Sequence, residues 1–271
     1  MGEMEIVIGQ INVKLGLVNK NLETAKEVFE MVYTLENNTN HSLVVLPELF
    51  TTGYEFNVIK ETASEIPGGK VYEQISKMVQ EYGLWFYGSI PEKDGKKLYN
   101  TGILLNSKGE LVAKYRKIHL FGPLGEKNVF DHGTTLSVAE TPVGKMGLAI
   151  CFDLRFPEQF GQMLKEDPVG FIISAEWPLS RIDHWKTLLR ARAIENQVFV
   201  IGVNRVGTDI STEYGGNSAV YGPTGETIVQ LGQDVNIIRG KINTKKIKET
   251  KMLFDIRKEK INFYDTIKFE R

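Results

Sequence analysis

Helical and strand-like hydrophobic patterns alternate along the first part of the chain. An apolar stretch at residues 5–11 predicts a strand, and apolar positions at helical spacing between residues 22 and 33 predict a helix. After a polar turn at residues 37–41, the continuous apolar run at residues 43–46 predicts a strand covered on both faces. A second helix over residues 71–82, closed by Gly83, precedes a strand at residues 84–88. The predicted order is therefore βαβαβ.

The pattern changes to hairpins after Pro91. Residues 99–105 and 110–115 are predicted to pair around a turn at residues 106–109. Residues 121–134 show little periodicity, which is typical of a functional or mobile loop. Strands near residues 136–138 and at 143–150 follow. A helix at 156–164, a strand at 171–174, a helix at 181–197, a strand at 198–204 and a hairpin turning at 222–225 then repeat the first order.

The repeated order indicates an internal duplication, in which each half has a βαβ part and a hairpin part. Two such halves predict an α/β fold, a four-layer α-β-β-α sandwich of two face-packed sheets flanked by helices. The alternative to a duplication is an α/β protein without internal repeats, since helices and strands alternate in all α/β proteins. We assign residues 1–242 to this single domain.

Residues 243–271 are predicted to form a C-terminal arm. It begins with a charged, helix-compatible run and carries apolar residues in a polar setting, namely Met252, Leu253, Phe254, Ile261, Phe263 and Tyr264. Apolar groups on a terminal arm usually need a partner surface. That surface belongs either to the body of the same subunit or to a second subunit.

Composition excludes several classes of function. The 271 residues carry a formal net charge of -1, and the basic residues are dispersed, so neither nucleic acid nor a membrane is expected as a partner. The single cysteine cannot form an intrachain disulfide, and the first residues do not resemble an export signal, so we expect the cytoplasm. Zinc-ligand spacing, a phosphate-binding loop and a dinucleotide fingerprint are not found in the sequence.

The cysteine, Cys151, lies where a predicted strand meets a predicted helix. Such a turn exposes a side chain above the sheet and directs backbone N–H groups and the positive end of a helix dipole towards the sulfur. We therefore expect a thiolate to be favoured there. The alternative is an inert cysteine that fills the core.

Two further residues, Glu48 and Lys117, also lie where a predicted strand gives way to a loop. A cysteine, a glutamate and a lysine at one rim would suit acyl transfer, with a sulfur nucleophile, a carboxylate base and a cation for the tetrahedral oxygen. Taken singly, a glutamate or a lysine is far more often a solvated surface charge. His119 and His184 would allow a cysteine–histidine pair instead, although a histidine near a loop is more often structural.

Three motifs carry a more specific signal. L-P-E-L-F-T-T-G-Y at residues 46–54, K-Y-R-K-I-H-L-F at 114–121 and I-C-F-D-L-R-F-P-E at 150–158 resemble the nitrilase superfamily of carbon–nitrogen hydrolases. Residues 184–200 and 217–226 look closest to its Nit/omega-amidase branch. The resemblance implies the same four-layer fold, a small-molecule amide substrate, no metal or organic cofactor, and a homodimer.

The resemblance also implies roles for particular residues. Cys151 corresponds to the nucleophile, Glu48 to the general base and Lys117 to the stabilising cation. The backbone amide of Phe152 would be a second donor to the oxyanion. Glu126 matches a further glutamate that orients the lysine and the substrate, its alternative being a solvent-facing loop acid.

The substrate pocket is expected to include Arg155, Glu176 and Trp177. Arg155 suits a substrate carboxylate, or it pairs with Asp153 or Glu158 to brace the turn. Glu176 departs from the asparagine or glycine common in the family, and an extra acid there would repel an anionic substrate. The expected activity is omega-amidase-like, with a nitrilase, another amidase or a catalytically silent binding protein as alternatives.

Overall fold

The computed structural model describes residues 2–34 and 42–259. Two six-stranded sheets pack face to face, and helices cover their outer faces. The predicted four-layer α-β-β-α sandwich is confirmed.

The strands are β1 (Glu3–Gln10), β2 (Ser42–Val45), β3 (Trp85–Asp94), β4 (Lys97–Leu105), β5 (Leu111–Arg116), β6 (Val138–Thr141), β7 (Gly144–Ile150), β8 (Gly170–Ala175), β9 (Phe199–Asn204), β10 (Val206–Thr208), β11 (Glu213–Gly215), β12 (Ala219–Tyr221), β13 (Thr227–Gln230) and β14 (Asn236–Asn243). The α-helices are α1 (Val18–Thr34), α2 (Phe56–Thr62), α3 (Lys70–Tyr82), α4 (Pro157–Met163), α5 (Ile182–Asn196), α6 (Lys245–Leu253) and α7 (Ile256–Glu259).

The first strand shows how the layers are held together. Ile6 and Ile8 lie in the apolar core between the sheets, where Leu148 and Ile172 of the second sheet also lie. Val7 belongs instead to the cluster formed with apolar residues of α1 and α3. Because successive side chains of a strand point to opposite faces, a strand covered on both sides is apolar at every position. This explains the continuous apolar run that predicted β2.

The two sheets share one topology, which confirms the duplication at the level of strand order. In the first sheet β1, β2 and β3 are parallel, and β4 and β5 follow antiparallel. In the second sheet β7, β8 and β9 are parallel, and β12 and β13 follow antiparallel. Each sheet gains an antiparallel strand beside its first parallel one, β14 beside β1 and β6 beside β7. The ends of β2 and β8 are therefore equivalent positions.

Two predicted strand boundaries are wrong. The strand expected to end at residue 88 continues through Pro91 to Asp94 and pairs with β4 throughout. Its pairing with β2 ends at Tyr87, and beyond that point an isolated bridge between Glu92 and Ser64 replaces a full strand on that side, so a proline is tolerated at position 91. The strand expected near residues 136–138 is shifted to Val138–Thr141, because a short turn joins it to β7.

The arm lies against the body of its own subunit through both side chains, such as the buried Ile247, and its backbone. The Gln197 side chain donates to the carbonyl of Phe254 (3.0 Å) and accepts from the amide of Ile256 (3.1 Å). The side chains of Met252, Leu253 and Phe254 are 85%, 83% and 62% exposed. The other apolar residues assigned to the arm, and the polar turn at residues 37–41, lie outside the described residues.

Among the described residues, none of the helices has both the length and the apolar composition needed to span a membrane.

Candidate active site

Glu48, Lys117 and Cys151 meet at one end of the sandwich. Glu48 lies just beyond β2, while Lys117 and Cys151 directly follow β5 and β7. Glu48 and Lys117 are fully buried, and Cys151 is 8% exposed. The alternative of solvated surface charges is therefore excluded for Glu48 and Lys117.

Cys151 occupies a strained turn between a strand and a helix. Its φ angle is +46°, in the left-handed region that side chains other than glycine rarely adopt. It begins a 3-10 helix at Cys151–Arg155, which precedes α4, the helix that the change of periodicity predicted at residues 156–164. In the first turn of a helix the backbone N–H groups have no intrahelical acceptor, so the amide of Phe152 is available to an oxyanion.

Asp153 anchors this turn to the segment that carries Lys117. One carboxylate oxygen accepts from the backbone N–H of Ile150 (2.9 Å) and from the hydroxyl of Tyr115 (2.8 Å). The other accepts from the backbone N–H of His119 (3.0 Å) and contacts its Nδ1 (2.8 Å). The carboxylate therefore ties the end of β7 to the end of β5. His119 is bound to Asp153 and stacks on Phe156, so it serves the turn as a structural group.

Lys117 forms the centre of a buried ionic cluster. Its Nζ lies 2.7 Å from Oε1 of Glu48, and 2.9 and 2.8 Å from the two carboxylate oxygens of Glu126. Burial alone would lower the pKa of Lys117, but the charges of Glu126 and Glu48 outweigh it and raise the pKa. Lys117 is thus a fixed cation, and Glu126 lies inside the cluster rather than on the surface.

Glu48 is held by neutral donors as well. Oε1 accepts from the hydroxyl of Tyr54 (2.7 Å) and from the side-chain amide of Asn100 (2.8 Å). Oε2 accepts from the backbone N–H of Glu176 (3.0 Å). Burial opposes ionisation of Glu48, yet Lys117 and these donors lower its pKa. Glu48 is therefore a carboxylate at neutral pH.

The second carboxyl group of the cluster has the opposite tendency. Glu126 accepts from the backbone N–H of Phe121 (2.6 Å) in addition to Lys117. Burial raises its pKa, and although Lys117 opposes this, the nearby charge of Glu48 adds to it. Two carboxyl groups that share one lysine cannot ionise independently, and here Glu48 is the more readily ionised of the two.

The expectation of a resting thiolate at Cys151 is wrong. Burial raises the pKa of the Cys151 thiol well above its ordinary value, and the negative charge of Glu48 adds to this, outweighing Lys117. The sulfur is therefore a thiol, and Glu48 is the carboxylate beside it.

A cavity of about 280 Å³ opens onto Cys151. Arg155, Glu176, Trp177, Arg181 and Tyr214 also line it. Its volume lies just below the range of about 300–1,000 Å³ for pockets that hold drug-sized ligands, so it fits a small substrate. A larger cavity of about 540 Å³ lies beside the rings of Phe152 and Phe156 and does not reach Cys151.

Arg155 faces this cavity and does not brace the turn through an ion pair. In residues 2–34 and 42–259, no salt bridge joins it to Asp153 or Glu158; its Nη2 donates instead to Nδ1 of His184 (3.0 Å). Its guanidinium lies 4.9 Å from the centre of the Trp177 ring. Trp177 is therefore one wall of the cavity and a support for the arginine.

Glu176 does not present the repulsive charge that the sequence led us to expect. Its Oε2 accepts from Nη1 of Arg205 (3.1 Å), and both side chains are fully buried. Burial raises the pKa of Glu176 to about 8, with Arg205 opposing. The side chain is therefore either neutral or paired with a cation, and it offers little net negative charge to an anionic ligand.

Sequence reasoning missed three contributors to the site. Tyr54 lies in the first quoted motif and Asn100 in the first predicted hairpin, but nothing in the pattern pointed to their contacts with Glu48. Arg205 gave no signal, because a buried arginine cannot be told from a surface one by sequence alone.

No group of three His, Cys, Asp or Glu side chains in the described residues is arranged to hold a metal ion.

Comparison with known proteins identifies the family. A protein-family model described as carbon-nitrogen hydrolase matches residues 6–252 of the chain. The 2-oxoglutaramate amidase of Bacillus subtilis (strain 168) is 33% identical over 256 residues, covering 92% of this chain and 96% of that protein. The omega-amidase NIT2 of Homo sapiens is 33% identical over 233 residues, covering 80% and 82%.

The fold agrees with a solved structure of the same superfamily. XC1258 from Xanthomonas campestris, a CN-hydrolase superfamily protein with an arsenic adduct in its active site, matches with a TM-score of 0.88. It is 28% identical, and the match covers 97% of this chain and 99% of that one. The chain belongs to the carbon–nitrogen hydrolase family, in the Nit/omega-amidase branch of the nitrilase superfamily that its motifs resemble.

Proposed function

We propose that the protein hydrolyses the C–N bond of a small linear amide through a thioester on Cys151 and releases ammonia. Its substrates are mono-amides of short dicarboxylic acids, the activity of an omega-amidase. The observation that carries this proposal is the buried contact of Lys117 with Glu48 beside the free thiol of Cys151. Relatives named 2-oxoglutaramate amidase and omega-amidase support the same reaction class.

In the first half of the reaction, the Cys151 sulfur adds to the amide carbon while Glu48 takes the thiol proton. The tetrahedral oxygen then carries the negative charge, and Lys117 Nζ and the Phe152 amide stabilise it. Each such donor is worth about 10²–10³ in rate. Glu48 passes its proton to the amide nitrogen, the C–N bond breaks, and ammonia leaves a thioester.

In the second half, water replaces ammonia. Glu48 takes a proton from the water as its oxygen adds to the thioester carbon, and the same donors stabilise the second tetrahedral oxygen. The C–S bond breaks, the carboxylic acid leaves, and the sulfur recovers its proton from Glu48. One carboxylate thus acts as base and acid in both halves.

Glu126 holds Lys117 in place for this chemistry. It engages the ammonium with both oxygens, so the cation stays fixed while the charge of Glu48 changes during turnover. The loop around Glu126 is itself fixed by the amide of Phe121. Preorganised charges of this kind need no rearrangement when the transition state forms.

The choice of a dicarboxylate mono-amide rests on the cavity. An arginine fork matches a carboxylate, and Arg155 faces the cavity while Trp177 supports it. The charge of Glu176 is compensated by Arg205, so it does not oppose an anion. The amide end of such a substrate would lie at Cys151 and its carboxylate at Arg155.

Assembly and location form part of the same proposal. The exposed apolar side chains of Met252, Leu253 and Phe254 would be covered in a homodimer. A nucleophile that must remain a free thiol suits a reducing compartment, so we place the enzyme in the cytoplasm.

The test is ammonia release by the purified protein. The panel contains mono-amides of four- and five-carbon dicarboxylic acids, neutral aliphatic amides of the same length, and the matching nitriles. The proposal predicts ammonia from the amides, fastest from the mono-amide acids. A folded protein that releases no ammonia from any amide would contradict it and leave a binding role.

A further inference from the structure

A second arginine lines the Cys151 cavity. Arg155 and Arg181 both contribute to the cavity wall, and both are half-buried. Among the described residues, neither guanidinium forms a salt bridge with a carboxylate: Arg155 contacts His184, and Arg181 lies over the ring of Phe121 at 5.3 Å. Two cations therefore face one small cavity without an acidic partner.

The two arginines are held by the same tryptophan. The Trp177 ring lies beneath the guanidinium of Arg155, and its Nε1 donates to the backbone carbonyl of Arg181 (2.8 Å). Trp177 is almost fully buried and packs on Trp185, with ring centres 5.6 Å apart. The guanidinium of Arg155 and the backbone of Arg181 thus both contact a buried side chain of the core.

Placing these cations together costs free energy in the unliganded protein. Burial lowers the pKa of Arg155, and the positive charge of Arg181 lowers it further. A single carboxylate between the two guanidiniums would remove that repulsion and supply acceptors for both forks.

The carboxyl group that lines the cavity, and two acidic groups of neighbouring segments, do not provide this compensation. Glu176 is paired with Arg205. Asp209 accepts from the Tyr214 hydroxyl (2.7 Å) and from the backbone N–H of Thr212 (3.0 Å). Asp183, at the start of α5, is exposed and paired with Lys186 at 2.8 Å. Of the charged residues that line the cavity, Arg155 and Arg181 are therefore cations, and Glu176 is compensated by Arg205.

We propose that Arg181 determines specificity, binding the distal carboxylate of the substrate together with Arg155 while the amide end lies at Cys151. This inference rests on the proposed function and adds to it a second anion contact. Two cationic contacts would then favour an acid over a neutral amide. Some preference for the acid should therefore survive the loss of either arginine alone.

The test compares the mono-amide of a five-carbon dicarboxylic acid with the neutral five-carbon amide. Steady-state kinetics are measured for the parent, Arg181→Met, Arg155→Met and the double variant. Arg190→Met is the matched control, because Arg190 is exposed on α5 and does not line the cavity. Arg181→Gln serves as a second variant if the methionine form folds poorly.

Losing one charge-assisted contact should reduce kcat/KM for the acid by roughly tenfold to a hundredfold, mainly through KM. The neutral amide should change by less than about threefold, and the control should match the parent for both. Because the two arginines share one carboxylate, the double variant should lose less than the product of the single losses.

Other outcomes separate this inference from the proposed function. If Arg181→Met keeps the acid preference of the parent while Arg155→Met loses it, Arg181 is not a contact and the omega-amidase proposal stands. An equal loss of kcat/KM for the acid in Arg190→Met would show that general surface charge, and not a contact with the two arginines, causes the preference. A parent enzyme without preference for the acid would overturn the substrate class itself.

Discussion

The backbone N–H of Glu176 donates a hydrogen bond to Oε2 of Glu48 over 3.0 Å. The two residues follow equivalent strands of the duplicated halves, β2 and β8. The contact therefore crosses from one sheet to the other and fixes the carboxylate against the half that carries Cys151. The hydroxyl of Ser174 makes a second bridge to the carbonyl of Leu46 (2.7 Å). The site is assembled only when the two sheets pack together.

Lys117→Arg keeps the charge but should lose on the order of a hundredfold or more in kcat. The Nζ atom is fully buried and touches Glu48 and Glu126 within 2.7–2.9 Å, which leaves no room for a planar guanidinium. Ammonia release at saturating substrate measures the effect, with thermal unfolding as the control for folding. A variant whose kcat lies within threefold of the parent's would show that Lys117 takes no part in the reaction.

Alkylation of Cys151 should depend on Glu48. The raised pKa of Cys151 means that its thiolate forms unaided only at a higher pH than for an ordinary cysteine, so near neutral pH the Glu48 carboxylate must take the proton. Iodoacetamide should inactivate the parent at neutral pH. In the parent, alkylation assisted by the Glu48 carboxylate should change little with pH near neutrality. Glu48→Gln removes this base and also the negative charge that raises the pKa of the thiol, so its rate should follow the thiolate fraction and rise steadily with pH.

Mass spectrometry of the alkylated peptide measures both rates and verifies that Cys151 is the residue modified. The unrelated carboxylate variant Glu158→Gln is the control, because Glu158 is exposed. If the alkylation rates of the parent and of Glu48→Gln depend on pH in the same way, the thiolate forms without Glu48.

The positions of the proposed catalytic residues could be anticipated because they depend on local signals. A proline ends the pairing of β2 just before Glu48, and the change from strand to helical spacing marks Cys151. The fold followed from the alternation of apolar runs and helical stripes. Such features are set by residues close together in the chain.

The ionic environment of the site could not be anticipated in the same way. The pairing of Glu176 with Arg205 joins residues on different strands, and a glutamate in a loop normally predicts an exposed charge. The state of Cys151 was misjudged because the short helix suggested a thiolate, whereas burial and the charge of Glu48 have the larger effect. These effects depend on packing, which a single sequence does not reveal.

Arg155→Met should reduce, without abolishing, the preference for a mono-amide acid over its neutral counterpart. A charge-assisted contact is worth about 1.5–3 kcal/mol, which corresponds to roughly tenfold to over a hundredfold in kcat/KM for the acid. The neutral amide should be little affected. Equal or better use of the neutral amide by the parent would contradict the omega-amidase assignment and leave the Glu48–Lys117–Cys151 chemistry untouched.

The arm should take part in a homodimer. Met252, Leu253 and Phe254 are exposed on the described part of the arm, and we expect a second subunit to cover them. Light scattering at micromolar concentration should give the mass of a dimer, and replacing these three residues with serine should weaken it. A parent protein that is monomeric at this concentration, with an unchanged mass in the variant, would contradict the prediction.

The most direct test of the proposed chemistry is the ammonia released by Cys151→Ala from a mono-amide acid that the parent hydrolyses. Alanine removes only the sulfur from a side chain that lines the cavity, so the variant should unfold at a temperature close to that of the parent. Without a nucleophile no thioester can form, and we predict a loss of at least about a thousandfold in kcat, to the limit of detection. A folded Cys151→Ala protein that retains more than about a tenth of the parent's rate would contradict the account.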